Sequence, residues 1–302
     1  MKTTRRTFIK AGTMAVIGAA VLPQSVLACR RQKGIVGVQL YSIRDDMEKD
    51  PVGSLTQLAK MGYTYLEHAN YVDRKFYGYP AKEFRKVLDG LGLKMISGHT
   101  VMSKDHWDET KKDFSDSWKM TIEDAAVLEQ KYVISPSMDE SMRKTYDDMK
   151  RYMDIFNKCG KLCKKRGMKF GYHNHDFEFS ENLNNERLFD IIMKSIDPNL
   201  VVLQLDIGNL YNGGAVALDV VNQYPGRFEN IHVKDEIVST SGSEKYESTI
   251  IGEGIVNAEK VVDLATKMGG TTCYIIEQES YQNKTPMECV KADLDIMHKW
   301  GY

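Results

Sequence analysis

The chain has 302 residues, 42% of them apolar, and 41 basic against 42 acidic side chains, a formal charge of 41 − 42 = −1. That is enough apolar material for a sizeable core, and enough length for one large α/β barrel or two small domains. The charge balance argues against nucleic acid or an anionic membrane as a partner held by bulk electrostatics.

The N-terminus carries the clearest local signal. Thr4-Arg5-Arg6-Thr7-Phe8-Ile9-Lys10 is a twin-arginine pattern, and the apolar run Ala11 to Leu22 follows it. That run is too short to span a bilayer and reads as the hydrophobic region of a secretion signal. Residues 1–28 are therefore expected to be a cleavable twin-arginine export signal, the kind that carries proteins across a membrane already folded. Ser25-Val26-Leu27-Ala28 ends in a small residue suited to ordinary cleavage. Val26-Leu27-Ala28-Cys29 also loosely resembles a lipobox, which makes Cys29 a candidate lipidated N-terminus. The leader holds Lys2, Arg5, Arg6 and Lys10 and no acidic residue, so its removal leaves 37 − 42 = −5. The expected location is the periplasm, free or facing it from a lipid anchor at Cys29.

From residue 33 to the C-terminus, short apolar runs alternate with helical patterns. The expected strands are Ile35–Tyr41, Tyr63–Glu67, Lys94–His99, Tyr132–Ser135, Lys169–His173, Val201–Asp206, Asn230–Val233 and Thr272–Glu277. They are rich in Val, Ile, Leu and Tyr, as strands buried on both faces should be. Helical patterns cover Pro51–Met61, Ala81–Leu91, Asp105–Glu129, Asp139–Arg166, Glu186–Ser195, Asn257–Met268 and Thr285–Trp300. Gly62, Gly92, Gly167 and the pair Gly269-Gly270 each sit between a helix and a strand, where a left-handed cap is wanted. Eight βα units over residues 33–302 predict a single (β/α)8 TIM barrel of the α/β class. A doubly wound open sheet is the structural rival, but Gln39-Leu40-Tyr41-Ser42 lacks the glycine-rich loop that fold normally places after its first strand. Five cysteines do not make a disulfide framework, and all but Cys29 are expected to be ordinary buried thiols.

In such a barrel the chemistry sits at the C-terminal ends of the strands. The second strand ends in Glu67 and His68, the third in His99, and the fifth runs into His173-Asn174-His175-Asp176. The sixth ends in Asp206, the seventh gives His232, Lys234, Asp235 and Glu236, and the eighth gives Glu277 and Glu279. Five of the seven histidines lie at or just past strand ends. Alternation places His173 with His175, His232 with Lys234, and Glu277 with Glu279 on common faces. Two imidazoles and two carboxylates at one barrel mouth suit Mn, Zn, Fe or Co better than an all-oxygen calcium cage. A divalent ion there polarises a carbonyl, and a neighbouring carboxylate, lysine or imidazole carries the proton. Each residue taken alone has a plain structural reading as well. Asp206 caps the next turn, Glu277 pairs with Lys234, and Lys234-Asp235 forms a solvated loop pair. Tyr41, Tyr172, Trp107 and Trp118 are candidates for an aromatic sugar platform or for core packing. Lys111-Lys112 reads as part of a solvated helix face. Gly252-Glu253-Gly254 lacks a phosphate-cradling pattern and is either a loop closing over substrate or a plain turn.

At these residues the chain resembles the xylose isomerase-like barrel family, the sugar phosphate isomerase/epimerase group. The resemblance runs in order through Gly37-Val38-Gln39-Leu40-Tyr41-Ser42, Gly171-Tyr172-His173-Asn174-His175, Leu205-Asp206-Ile207-Gly208-Asn209, Ile231-His232-Val233-Lys234-Asp235, Gly252-Glu253-Gly254 and Ile276-Glu277. It implies one divalent ion (Mn, Co or Zn) held by His173, Asp206, His232 and Glu277. It also implies a sugar or keto-sugar substrate bound by Tyr41, His99, Asn209 and Glu253, with His175, Lys234, Glu67 and Glu279 as the candidates for proton transfer. Two departures matter. Many relatives carry a glutamate where this chain has His173, which weakens a two-base epimerisation. Relatives often have a histidine at the position of Asn209. The His-x-His form of the fifth strand looks like inosose dehydratase and the 3-keto-glycoside lyases and hydratases. The expected activity is therefore proton transfer beside the carbonyl of a non-phosphorylated keto-sugar, as a lyase or hydratase on 3-keto-glucosides or their glycal products, or else as an isomerase or epimerase. Phosphodiester cleavage, known on this barrel, needs more histidines than are present. A non-catalytic sugar-binding lipoprotein predicts tight binding without turnover. The sequence leaves open whether the chain forms a homo-oligomer.

Overall fold

Short runs of Val, Ile, Leu and Tyr, unbroken by polar alternation, form eight parallel strands in the computed structural model, which describes residues 34–240 and 245–302. The strands are β1 (Ile35–Gln39), β2 (Tyr65–His68), β3 (Lys94–His99), β4 (Tyr132–Ser135), β5 (Lys169–His173), β6 (Val201–Asp206), β7 (Asn230–Val233) and β8 (Cys273–Ile276). Each pairs with its neighbours in chain order and β8 pairs with β1, which closes the barrel. The expected export signal and Cys29 lie outside the described residues.

A main helix follows each strand: α1 (Pro51–Met61), α2 (Ala81–Leu91), α3 (Asp116–Val127), α4 (Tyr146–Lys164), α5 (Leu188–Ser195), α6 (Ala217–Gln223), α7 (Ala258–Leu264) and α8 (Pro286–Lys299), with short extra helices at Arg44–Lys49, Phe177–Ser180 and Ile207–Asn212. Their ends obey local chemistry. Asp50 caps α1 by accepting from the Gly53 N–H at 2.9 Å, and Gly62 ends it at φ 107°. Thr285 and Glu288 form a reciprocal capping box ahead of Pro286 at the start of α8.

The structure shifts several boundaries, the second strand to Tyr65–His68 among them, and three shifts have a clear local form. β1 stops at Gln39 rather than Tyr41, because the Gln39 side chain accepts the Tyr41 N–H at 3.1 Å and turns the chain into a 3-10 helix. The pattern expected as a helix over 105–129 begins instead with a hairpin pairing Trp107–Asp108 with Asp113–Phe114. Lys111 and Lys112 therefore sit in its turn rather than on a helix face, with Lys112 at φ 53°. α4 begins at Tyr146, where the Thr145 hydroxyl accepts the Asp148 N–H at 3.1 Å. Cys159, Cys163, Cys273 and Cys289 are buried free thiols.

The barrel interior changes character along its axis. At the base an apolar plug of Tyr132, Ile134, Val202, Cys273 and Ile275 is packed with Ile35 and Ile96. Gly171 faces the same space, since a Cβ there would lie 2.4 Å from Ile134 Cδ1. One strand pitch higher, β1, β2, β3 and β6 contribute Gln39, Glu67, Ser97 and Gln204, all fully buried. A register shift between Leu66 and Glu67 against β3 sets Glu67 opposite Ser97. Above that layer stand His173, Asp206, His232 and Glu277, the mouth of the barrel.

Asp235, for which a solvated loop pair was the plain alternative reading, is fully buried. Its carboxylate accepts backbone N–H groups from Glu236 (3.0 Å), Gly252 (2.9 Å), Gly254 (3.2 Å) and Val256 (3.0 Å). The Gly252-Glu253-Gly254 segment is thus anchored to the end of β7, and a Cβ at Gly254 would lie 2.3 Å from Asp235 Oδ1. Removing one acceptor would leave several buried donors unpaired. Asp235→Ala is expected to cost on the order of 3 kcal/mol, read as a lowered urea midpoint with an unchanged slope; a midpoint at the wild-type value contradicts the anchor.

Candidate metal centre

β5 to β8 end side by side, and each delivers one ligand-type side chain to the same point. His173, Asp206, His232 and Glu277 are all buried, and one potential ligand atom from each lies within 4.8 Å of the others. His232 Nδ1 stands 3.0 Å from Glu277 Oε2 and 3.7 Å from Asp206 Oδ2. His173 Nε2 stands 3.9 Å from the same Asp206 oxygen. Metal bonds of about 2.0–2.2 Å put neighbouring ligand atoms about 3.0–3.5 Å apart, so modest contraction closes the set around one ion.

Three observations of the side chains favour a cation. Asp206 Oδ1 caps the turn after β6 by accepting the Gly208 and Asn209 N–H groups at 2.9 and 2.7 Å. Its other oxygen, Oδ2, is buried with no hydrogen-bond partner. His173 Nδ1 lies 3.0 Å from the Gln204 side-chain oxygen, which leaves Nε2 to face the cluster. His232 Nε2 lies 2.5 Å from Glu67 Oε1, which turns Nδ1 toward Asp206 and Glu277. Fixing one ring nitrogen through a carboxylate or amide is how proteins orient imidazole ligands. The mixed nitrogen and oxygen donors suit a first-row transition ion or zinc.

The charges are interlocked. Burial would raise the Glu67 pKa, but the imidazoles of His99 and His232 hold it well below the ordinary carboxylate range. Burial works against protonated His232, yet Glu67 and Glu277 raise its pKa well above the usual value. His173 is pushed the other way, by burial and by its neighbours His232 and His99, and stays neutral.

A cavity of about 830 Å³ opens above the cluster. His173, Glu277, His175, Lys234, Glu279, Tyr41, His99 and Asn209 all line it. Four expected site residues do not: Asp206 and His232, fully buried within the ligand set, and Glu253 and Glu67. Glu253 is exposed on the anchored loop, because Asp235 holds that segment's backbone and leaves its side chain pointing to solvent. Glu67 lies beneath the mouth, fully buried. It accepts from Gln39 Nε2 at 2.8 Å, Gln204 Nε2 at 2.7 Å and Ser97 Oγ at 2.5 Å, besides the two imidazoles. It does not line the cavity, and its contact with Nε2 orients His232.

Lys234 gives its hydrogen bonds to Asn209 Oδ1 (3.1 Å) and to Glu279, and lies 3.7 Å from Glu277. Burial disfavours its charge, but Asp206, Glu277 and Glu279 raise its pKa well above normal. It is a fixed cation. Of the four aromatic candidates, Tyr172 and Trp118 are core side chains, and Trp107 packs on Phe114 away from the cavity. Tyr41 alone lines the mouth, 43% exposed, with the Arg44 guanidinium 4.8 Å from its ring centroid. Sequence reasoning missed Arg44 and Glu178, and it named Glu236 at the end of the seventh strand without giving it a role. Glu178 is buried, accepts the His175 N–H at 2.8 Å and bonds to the Tyr172 hydroxyl, so it sets the backbone that presents His175. No motif marks such a residue; only the fold brings it under its partner.

Because His232 holds a proton in the metal-free protein, loading must expel it. Affinity is expected to rise with pH, with about one proton released per ion near neutrality. Calorimetric titration with Zn2+ in buffers of different ionisation heat measures this, and buffer-independent heats contradict it. Glu67→Gln should weaken binding roughly 10–100-fold without changing one-to-one stoichiometry.

Comparison with known proteins agrees with this architecture. The model of the family described as xylose isomerase-like TIM barrel matches residues 55–300. Inosose dehydratase of Clostridium beijerinckii is 24% identical over 274 residues, covering 82% of this chain and 89% of that one. The solved structure of a sugar phosphate isomerase/epimerase from Parabacteroides distasonis is 27% identical and covers 91% of this chain and 98% of its own, with a TM-score of 0.75. The IOLI protein with a binding zinc atom, 13% identical, covers 88% of this chain and 97% of its own at a TM-score of 0.67, a likeness of fold. The chain is an enzyme of the lyase or isomerase kind, and it belongs to the xylose isomerase-like TIM barrel family.

Proposed function

We propose that the chain is a divalent-metal-dependent enzyme that moves protons beside the carbonyl of a non-phosphorylated keto-sugar, as a lyase or hydratase on 3-keto-glucosides or their glycal products. The observation that carries this reading is the convergence of two imidazoles and two carboxylates under a sugar-sized cavity, with Asp206 Oδ2 unpaired. The dehydratase relatives support loss of water from a ring ketone as the reaction type.

The cavity lining supports an uncharged substrate. Asp176, Glu247, Glu277 and Glu279 line it against Arg44, Lys234 and Lys245. Lys234 is already committed to Glu279 and Asn209, and the Arg44 guanidinium to the Tyr281 hydroxyl at 3.0 Å. A phosphate would meet more carboxylates than free cations. An exported enzyme, as the leader suggests, would also meet free glycosides rather than phosphorylated sugars.

His173, Asp206, His232 and Glu277 would hold a divalent ion, which would supply Lewis acidity at a substrate ketone and make the adjacent C–H more acidic. Among the residues above it, His175 is the best placed base. Burial lowers its pKa, so the ring is neutral near pH 7, and Nδ1 has no partner. Glu178 fixes its backbone. Lys234 and Asn209 offer polar contacts to hydroxyls, and Tyr41 presents an aromatic face to the sugar ring at the mouth.

The test is exchange and elimination together. Metal-loaded protein with methyl 3-keto-glucoside in D2O should exchange the hydrogen beside the ketone and release methanol, both followed by NMR. Chelation should abolish both, and His175→Ala should lower both by about 10²–10⁴-fold. Full activity in chelator contradicts the reading. Exchange with inversion but no release would favour the epimerase alternative, and tight binding with neither would favour a binding lipoprotein.

A further inference from the structure

Among the described residues that line the cavity, two carry a buried side-chain polar atom without a hydrogen-bond partner: Nδ1 of His175 and Oε2 of Glu236. The proposed mechanism uses the first and leaves the second idle. Glu236 sits one residue past Asp235, at the root of the hairpin that pairs Asp235–Val238 with Tyr246–Thr249, and is 1% exposed. A carboxylate oxygen sealed from water and unpaired is costly, whereas a protonated carboxyl holds a hydrogen it can donate.

The neighbours do not neutralise it by pairing. Lys234 forms its ion pairs with Glu277 and Glu279. Asp235 adds a second negative charge whose hydrogen bonds all go to backbone N–H groups. The carboxyl is also close to the proposed metal ligands. A Cβ at Gly208, two residues after Asp206, would lie 2.8 Å from Glu236 Oε1. Glycine at 208 therefore leaves the space this carboxyl occupies. Burial lifts the Glu236 pKa to about 8, against the pull of Lys234 and with help from Asp206, Glu279 and Asp235, so the group is an acid at neutral pH.

We propose that Glu236 is the general acid of the elimination, donating its proton to the departing oxygen while His175 removes the proton beside the ketone. The assignment rests on the keto-sugar reading. His175 takes the α proton, and the C–H electron pair becomes the new C=C bond. The C–O bond breaks with its pair on oxygen, and the Glu236 proton caps that oxygen. The products are an unsaturated ketone and an alcohol or water. Nothing is oxidised or reduced, and solvent water returns the proton from His175 to Glu236. Hydration of the unsaturated product is the same path reversed.

Leaving-group dependence tests this, because methoxide needs a proton to depart and 4-nitrophenolate does not. Metal-loaded wild type and Glu236→Gln are compared on methyl and 4-nitrophenyl 3-keto-glucosides. The variant should lose about 10²–10⁴-fold in kcat/KM on the methyl substrate. Its loss on the nitrophenyl substrate should be at least about tenfold smaller, and hydrogen exchange beside the ketone should persist. Persisting exchange also shows that the variant is folded and loaded. If Glu236→Gln does not fold, Glu236→Asp must show the same split. Equal losses on both substrates, or methyl release at the wild-type rate, overturn the role of Glu236 alone. A wild type that neither exchanges nor eliminates overturns the keto-sugar reading and this assignment with it.

Discussion

A carboxylate sealed from water in the middle of the barrel, Glu67, governs the charge state of the mouth above it. It can remain ionised there because five groups converge on it: Gln39, Ser97, Gln204, His99 and His232. Its 2.5 Å contact with His232 Nε2 fixes which nitrogen of that ring faces the cluster. Gln204 carries the same order sideways, donating to Glu67 and sharing its carbonyl oxygen between His99 and His173. The polar layer therefore acts as a rigid floor between an apolar plug below and the ligand set above.

That floor explains why the mouth tolerates so many like charges. Without an ion, Asp206 and Glu277 lean on Lys234 and on a protonated His232. A cation would take over that compensation, and the His232 proton becomes superfluous. Lys234 is held as a permanent charge by Asp206, Glu277 and Glu279, which removes it from the roster of bases and makes it part of the electrostatic frame. The groups with an unsatisfied polar atom at the cavity wall, His175 and Glu236, are then the ones free to exchange protons. Structural satisfaction separates frame from machinery in this site.

The fold was legible because a barrel strand buried on both faces leaves a short apolar run, and its polar terminus announces the catalytic end. β3 to β7 lie where the apolar runs lie, and the four ligand candidates stand at the strand ends that suggested them. Less legible was anything set by residues distant in sequence. Glu67 looks like another strand-end carboxylate, and only the packing of β1, β3, β6 and β7 around it shows that it sits below the cavity. Glu253 looked like a contact in a substrate loop, but the buried Asp235 carboxylate pins that loop elsewhere. The hairpin within 105–129 was hidden because a helical pattern in a polar stretch does not exclude a tight turn with Lys112 at positive φ. Glu178 carried no motif, and Glu236 stood among the strand-end carboxylates without a role, since burial and lack or possession of a partner are properties of the folded chain.

Everything in this site turns on whether His173, Asp206, His232 and Glu277 close around one divalent ion. Diffraction from crystals of zinc- or manganese-loaded protein, recorded on either side of the metal's absorption edge, locates that ion directly. A single anomalous peak is expected at the barrel mouth within bonding distance of all four side chains, with Glu67 still behind His232. Full metal occupancy at another place, or a mouth that stays without a peak in crystals soaked with excess metal, contradicts it.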